Sequence, residues 1–122
     1  MHYTFEKLTL YHNPRCRKSR EALAYLEAHK IPFTIRHYLV DPLTVEELQK
    51  VLQLIGKTPA AIVRKNEALW KSDFSQQKWS DPALLEILTQ HPKLIERPIV
   101  VSDQSGVLAR PLENLQEFLK NF

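Results

Sequence analysis

A single cysteine, Cys16, is all that 122 residues provide. That scarcity excludes an internal disulfide framework and any metal site built on several thiolates. No apolar run approaches the roughly 20 residues needed to cross a bilayer. The N-terminus, with Glu6 and no long apolar stretch, is unlike a signal peptide. No basic run is interleaved with aromatics, so a net charge of +3, from 17 cationic and 14 anionic residues, is too diffuse to imply nucleic acid. His2, His29, His37 and His91 show no metal-ligand spacing. His2 is expected at a frayed end and the other three at the ends of strands or helices. The carboxylates are scattered and offer no acid/base pair. Repeats and low-complexity segments are also missing. What is left is a chain long enough for one core, expected as a single domain over 1–122. A reactive thiol without an internal partner fits a reducing, cytoplasmic setting and an external thiol for turnover.

The cysteine sits in the stretch that organises the chain, Leu8-Thr-Leu-Tyr-His-Asn-Pro-Arg-Cys-Arg-Lys-Ser-Arg20. Leu8 to Tyr11 are strand formers, and Asn13-Pro14 is a turn signal. From Ser19 onward, Ala22, Leu23, Tyr25 and Leu26 recur at helical spacing. Cys16 is therefore expected at a helix N-terminus, where free N–H groups and the helix dipole favour a thiolate and can seat an oxyanion. Arg15, Arg17, Lys18 and Arg20 add positive charge around it, and His12 can bring a hydrogen bond or a further charge. A lone cysteine is often a small buried hydrophobe. These polar neighbours favour a reactive thiol instead.

Further along, Phe33 to Tyr38 alternate as a strand should. Thr44-Val-Glu-Glu47 is a capping box for a helix that carries Leu48, Val51, Leu52 and Ile55 and ends at Gly56. Strand, helix, strand, helix argues for a parallel βαβ start. Residues 57–93 read as a helical insert. Thr58-Pro59 opens a short helix that runs to about Arg64, and Ser80-Asp81-Pro82 opens a second that His91-Pro92 ends. Trp70 and Trp79 are expected to anchor the polar part of the insert to the core. Pro98 to Val101 and Val107 to Arg110 form a hairpin, and Pro111 opens a last helix with Leu112, Leu115, Phe118 and Leu119 buried. The order predicts an α/β fold: a thioredoxin-like four-stranded mixed sheet with flanking helices and the insert between its halves. Cys16 and Pro98 then lie side by side. Arg97 and Arg110 fall near the Cys loop, and Arg64 can fold over the same edge. A thiolate with three converging guanidinium groups describes a site that binds an oxyanion and attacks it.

Several strings together carry a resemblance over nearly the whole chain. They are Tyr11-His-Asn-Pro-x-Cys16-x-x-Ser-Arg20, His37-Tyr38-Leu39, Val63-Arg64-Lys65-Asn66, His91-Pro-x-Leu-Ile-x-Arg97-Pro98-Ile-Val-Val101 and Arg110-Pro111. The chain resembles the glutaredoxin-linked arsenate reductases of the ArsC/Spx family. The resemblance implies Cys16 as the nucleophile, with His12 and Ser19 helping to keep it a thiolate. It implies Arg64, Arg97 and Arg110 as the oxyanion ligands, Pro98 as a cis-proline, glutathione as thiol co-substrate and glutaredoxin as partner, with no bound cofactor or metal. Where relatives commonly read Cys-Gly-Thr-Ser, this chain reads Cys16-Arg17-Lys18-Ser19, so two cations either crowd the pocket or strengthen anion capture. Three other readings stay open: an Spx-like partner-binding regulator, a glutathione-dependent oxidoreductase acting on mixed disulfides, and a thioredoxin-fold protein without activity. Ser19, in place of a second cysteine, rules out an Spx-type disulfide switch. Three arginines exceed what mixed-disulfide reduction requires.

Overall fold

A computed structural model describes residues 7–120, so the segment holding His2 and Glu6 lies outside it. Four strands, β1 (Leu8–Tyr11), β2 (Phe33–Arg36), β3 (Ile99–Val101) and β4 (Gly106–Leu108), form one sheet in the order β2-β1-β3-β4. β1 and β2 are parallel, with Tyr11 opposite Arg36. β3 runs antiparallel to β1 and β4, pairing Ile99 with both Tyr11 and Leu108. One end of the sheet therefore collects four chain segments: those leaving β1, β2 and β4 and the one arriving at β3. The Cys loop belongs to this end.

Four helices flank the sheet: α1 (Arg17–Ala28), α2 (Val45–Ile55), α3 (Asp81–Gln90) and α4 (Leu112–Leu119). Alternation along the strands divides two cores between its faces. Leu8, Leu10 and Val100 meet Ala22 and Leu26 of α1 and Leu115 of α4 on one side. Ile99 and Val101 meet Leu48, Val51 and Leu52 of α2 and Leu84, Leu85 and Leu88 of α3 on the other. This is the expected thioredoxin-like arrangement.

The α2 capping box forms as its sequence demands. Thr44 Oγ1 accepts the Glu47 N–H at 3.1 Å, and Glu47 Oε1 accepts the Thr44 N–H at 2.9 Å. Gly56 closes the helix with φ of 68°, a conformation glycine adopts without steric cost. Ser80 caps α3, its hydroxyl accepting the Ala83 N–H at 3.3 Å.

Three expectations need correction. β2 stops at Arg36, and His37 and Tyr38 turn away from it. Arg36 bends the chain there, donating from Nε to the Asp41 carbonyl and from Nη2 to the Pro42 carbonyl, both at 2.9 Å. The short helix after Thr58 is a single 3-10 turn, Pro59–Ile62, which Thr58 does not cap with its side chain. The polar stretch beyond holds an unforeseen π-helical turn, Trp70–Phe74. Trp70 and Trp79 do anchor this region, Trp70 inside the α2–α3 core and Trp79 against it, with Trp79 Nε1 donating to the Phe74 carbonyl at 2.8 Å. The segment returns through a second 3-10 turn, Pro92–Leu94, and an antiparallel bridge from Val63 to Ile95.

Candidate active site

The site grows from the strand ends. Leaving β1, His12 donates its N–H to the Arg36 carbonyl at 3.0 Å, which ties the Cys loop to the end of β2. Asn13 shapes the loop: its side-chain oxygen accepts the Arg15 N–H, and its carbonyl accepts the Cys16 N–H, each at 3.0 Å. Cys16 is the N-cap residue of α1, with extended φ and ψ of −96° and 123° and no close side-chain capping bond.

Cys16 is a buried residue, 8% exposed, yet not an inert one. Burial pushes its thiol up, but the backbone N–H groups of Ser19 and Lys18 and the Arg97 guanidinium outweigh that and hold it below its ordinary value. The cations expected to crowd the sulfur do not. Arg15 and Arg20 are exposed, and Arg20 Nη1 donates to the Pro14 carbonyl at 3.0 Å. Arg17 and Lys18 lie along the helix surface toward Glu21, at 3.6 and 3.8 Å. Side chains at a helix N-terminus radiate outward while its amides converge. The guanidinium that matters therefore comes from the distant segment that leads into β3.

That guanidinium arrives by a different route. Arg64 donates its N–H to the Leu94 carbonyl and Glu96 to the Ile62 carbonyl, both at 2.7 Å. The pair of segments delivers Arg64 beside the chain that carries Arg97. The Arg97–Pro98 bond is cis, as the resemblance implied, and so is Arg110–Pro111. Ala109 donates its N–H to the Pro98 carbonyl at 2.8 Å, so the backbone of Arg110 lies across from that of Arg97. Arg110 is half-buried, and its carbonyl accepts from Asn114 Nδ2 at 3.2 Å.

Four buried donor atoms in this region have no hydrogen-bond partner among the described residues: Arg64 Nε and Nη1, Arg97 Nε and the Tyr38 hydroxyl. Buried polar groups are nearly always paired. Guanidinium nitrogens left unpaired in this way are suited to an anion with several acceptor oxygens, and Arg97 also acts on the Cys16 thiol.

His12 and Ser19 are brought together as a pair, with Nδ1 2.6 Å from the hydroxyl. The Asn13 N–H donates to the same hydroxyl at 3.0 Å. Burial, followed by His37 and Arg20, lowers the His12 pKa, which favours its neutral form. Ser19 acts on the sulfur through its backbone N–H, while its side chain holds the loop. Tyr38 is the residue the sequence reading did not single out. Among the described residues no cluster of histidine, cysteine or carboxylate side chains is arranged to hold a metal. No helix among them is long and apolar enough to span a membrane.

Fold and site together define a thioredoxin-like protein with one thiol of lowered pKa and, at the same end of the sheet, guanidinium nitrogens left without partners. The ArsC family model matches residues 11–118, and the chain belongs to that family. It is 39% identical over 113 residues to an arsenate reductase of Escherichia coli K12, covering 92% of this chain and 80% of the relative. It is 35% identical over 115 residues to an arsenate reductase of Neisseria meningitidis, covering 93% and 98%. The solved structure of an arsenate reductase from Vibrio cholerae superposes with a TM-score of 0.85 at 40% identity, covering 92% of this chain and 97% of that one.

Proposed function

We propose that this protein is an arsenate reductase that works through Cys16 with glutathione and glutaredoxin. The observation that carries the proposal is the thiol of lowered pKa acted on by Arg97, at the end of the sheet where nitrogens of Arg64 and Arg97 are buried and unpaired. Its relatives named arsenate reductase support the choice of oxyanion.

Arg64 and Arg97 hold dihydrogen arsenate against the Cys16 thiolate, with Arg110 closing the same end of the sheet. The sulfur attacks arsenic, an S–As bond forms, and one oxygen leaves as water after taking up a proton. The product is a Cys16 S–AsO3H adduct carrying one negative charge. Glutathione then attacks the Cys16 sulfur. The S–As bond breaks with its electron pair going to arsenic, which falls from As(V) to As(III). The glutathione proton leaves with it as dihydrogen arsenite, and Cys16 is left in a mixed disulfide. Glutaredoxin removes the glutathionyl group and restores the thiol. Arsenic gains the two electrons that the two sulfurs lose. A single cysteine requires such an external thiol, and a reducing cytoplasm supplies it. His12, Ser19 and Pro98 keep the Cys loop in position throughout.

The test is arsenate-dependent NADPH consumption, coupled through glutathione, glutaredoxin and glutathione reductase. Turnover in the wild type that disappears in Cys16→Ser supports the proposal. A wild type that does not respond to arsenate overturns it.

A further inference from the structure

The unpaired atoms beside Cys16 are not all guanidinium. Tyr38 leaves β2 through the turn that Arg36 imposes, and its ring is 2% exposed. The ring lines a small apolar crevice with Tyr11, Leu43, Leu48, Ile95 and Ile99. Ile95, Ile99 and Glu96 of this lining flank Arg97 in sequence, so the phenol abuts the segment that presents that guanidinium. Its hydroxyl has no hydrogen-bond partner among the described residues. Buried tyrosine hydroxyls ordinarily find one. A phenylalanine would fill the same space without the cost of a desolvated, unpaired oxygen.

The charges that act on this phenol show which groups lie near it. Burial is the main influence, followed by Arg97, Cys16, Arg64 and Glu96. Three of these four form the thiol–guanidinium receptor. Burial pushes the phenol up to about 12, so it stays protonated at every physiological pH and is a standing donor.

We propose that the Tyr38 hydroxyl is a further substrate-binding group, donating an uncharged hydrogen bond to the oxyanion that Arg64 and Arg97 hold beside Cys16. The inference rests on the oxyanion site put forward above and adds a residue to it. A neutral donor suits this position. It grips an acceptor oxygen without adding another cation next to a sulfur that must stay nucleophilic. Bound this way, an oxyanion satisfies the one buried hydroxyl that folding leaves unpaired among the described residues.

Tyr38→Phe removes that oxygen alone. Binding of arsenate and of sulfate is measured by calorimetric titration, with thermal unfolding of the ligand-free protein and steady-state kinetics on the same samples. The expected result is a Kd for arsenate raised about 10- to 100-fold, a KM raised to match, and kcat held within about twofold, the pattern of uniform binding lost. Ligand-free Tm stays level or rises, because an unpaired buried group has been removed. A structural hydroxyl would do the reverse, lowering Tm and leaving affinity unchanged, and that outcome overturns the inference. Unchanged affinity in Tyr38→Phe, with turnover intact in both proteins, also overturns it while the reductase proposal stands. A wild type that binds sulfate or arsenate without turnover, and loses that binding in Tyr38→Phe, supports Tyr38 and overturns the reductase. Binding of neither oxyanion by the wild type overturns both.

Discussion

His12 Nδ1 and the Ser19 hydroxyl lie 2.6 Å apart, a contact that joins the exit of β1 to the first turn of α1 across the Cys loop. The same hydroxyl takes the Asn13 N–H. One buried oxygen thus fixes three residues around the thiol, and Ser19 itself is fully buried. Ser19→Ala leaves the Asn13 amide and the His12 ring nitrogen unpaired. The expected loss is about 1–3 kcal/mol, read from urea unfolding as a lower midpoint with an unchanged m-value. A midpoint equal to wild type would remove this pair from the support of the loop.

Cys16 reacts as a thiolate, so its alkylation rate follows its ionisation. Because the folded thiol is held below its ordinary value, the rate of iodoacetamide labelling rises through a midpoint at lower pH than for a free cysteine. Arg97 supplies both a hydrogen bond and a charge to that shift. Arg97→Ala therefore moves the midpoint upward, and an unmoved midpoint would contradict the assignment. Cys16→Ser loses all turnover, since the sequence holds no second thiol.

Arg97→Lys keeps the charge and discards the planar fork. An ammonium cannot reproduce two parallel donors, so arsenate affinity is expected to fall about tenfold. Isothermal titration measures it, and an affinity equal to wild type would take Arg97 out of the anion receptor.

Glu47 has two duties, closing the α2 capping box and pairing with Arg36, whose Nη1 lies 3.0 Å from Glu47 Oε2. The Arg36 guanidinium, foremost, holds its carboxyl below the ordinary value. A lowered pKa contributes stability that is present above the ordinary carboxylate value and is lost as pH falls through the lowered one. Acid unfolding of Glu47→Gln should accordingly show a shallower loss across that window than wild type. Thr44→Ala, which removes the cap from the other side, should cost about 1 kcal/mol near neutral pH.

Local chemistry and the overall fold are legible in this sequence, and the direction of individual side chains is not. The Thr44 capping box and the Gly56 terminus follow from residues within a few positions of one another, and both appear as read. The four-stranded mixed sheet follows from the strand–helix alternation and the final hairpin. The four cations around Cys16 mislead, because neighbours along a helix start point away from its axis while sequence counting treats them as close. Arg97 is placed near the Cys loop from the sequence, through the proline that opens β3, and its action on the thiol is seen in the structure. Tyr38 escapes notice because alternation carries β2 two residues too far. The fork of Arg36, gripping carbonyls of Asp41 and Pro42 and the carboxylate of Glu47, ends the strand, and no short-range pattern announces it.

Cys16 stands at the N-cap of α1 without the oxygen that such a position normally presents. Only a sulfur with a full negative charge serves the amides of Lys18 and Ser19 well. The first turn of this helix thus shares an atom with the reaction coordinate. Whenever the sulfur is esterified, alkylated or disulfide-bonded, the turn loses its anionic terminus and is freer to fray. On the proposed mechanism, amide exchange at those two positions is expected to be slow while the sulfur is a free thiolate and faster while it is bonded.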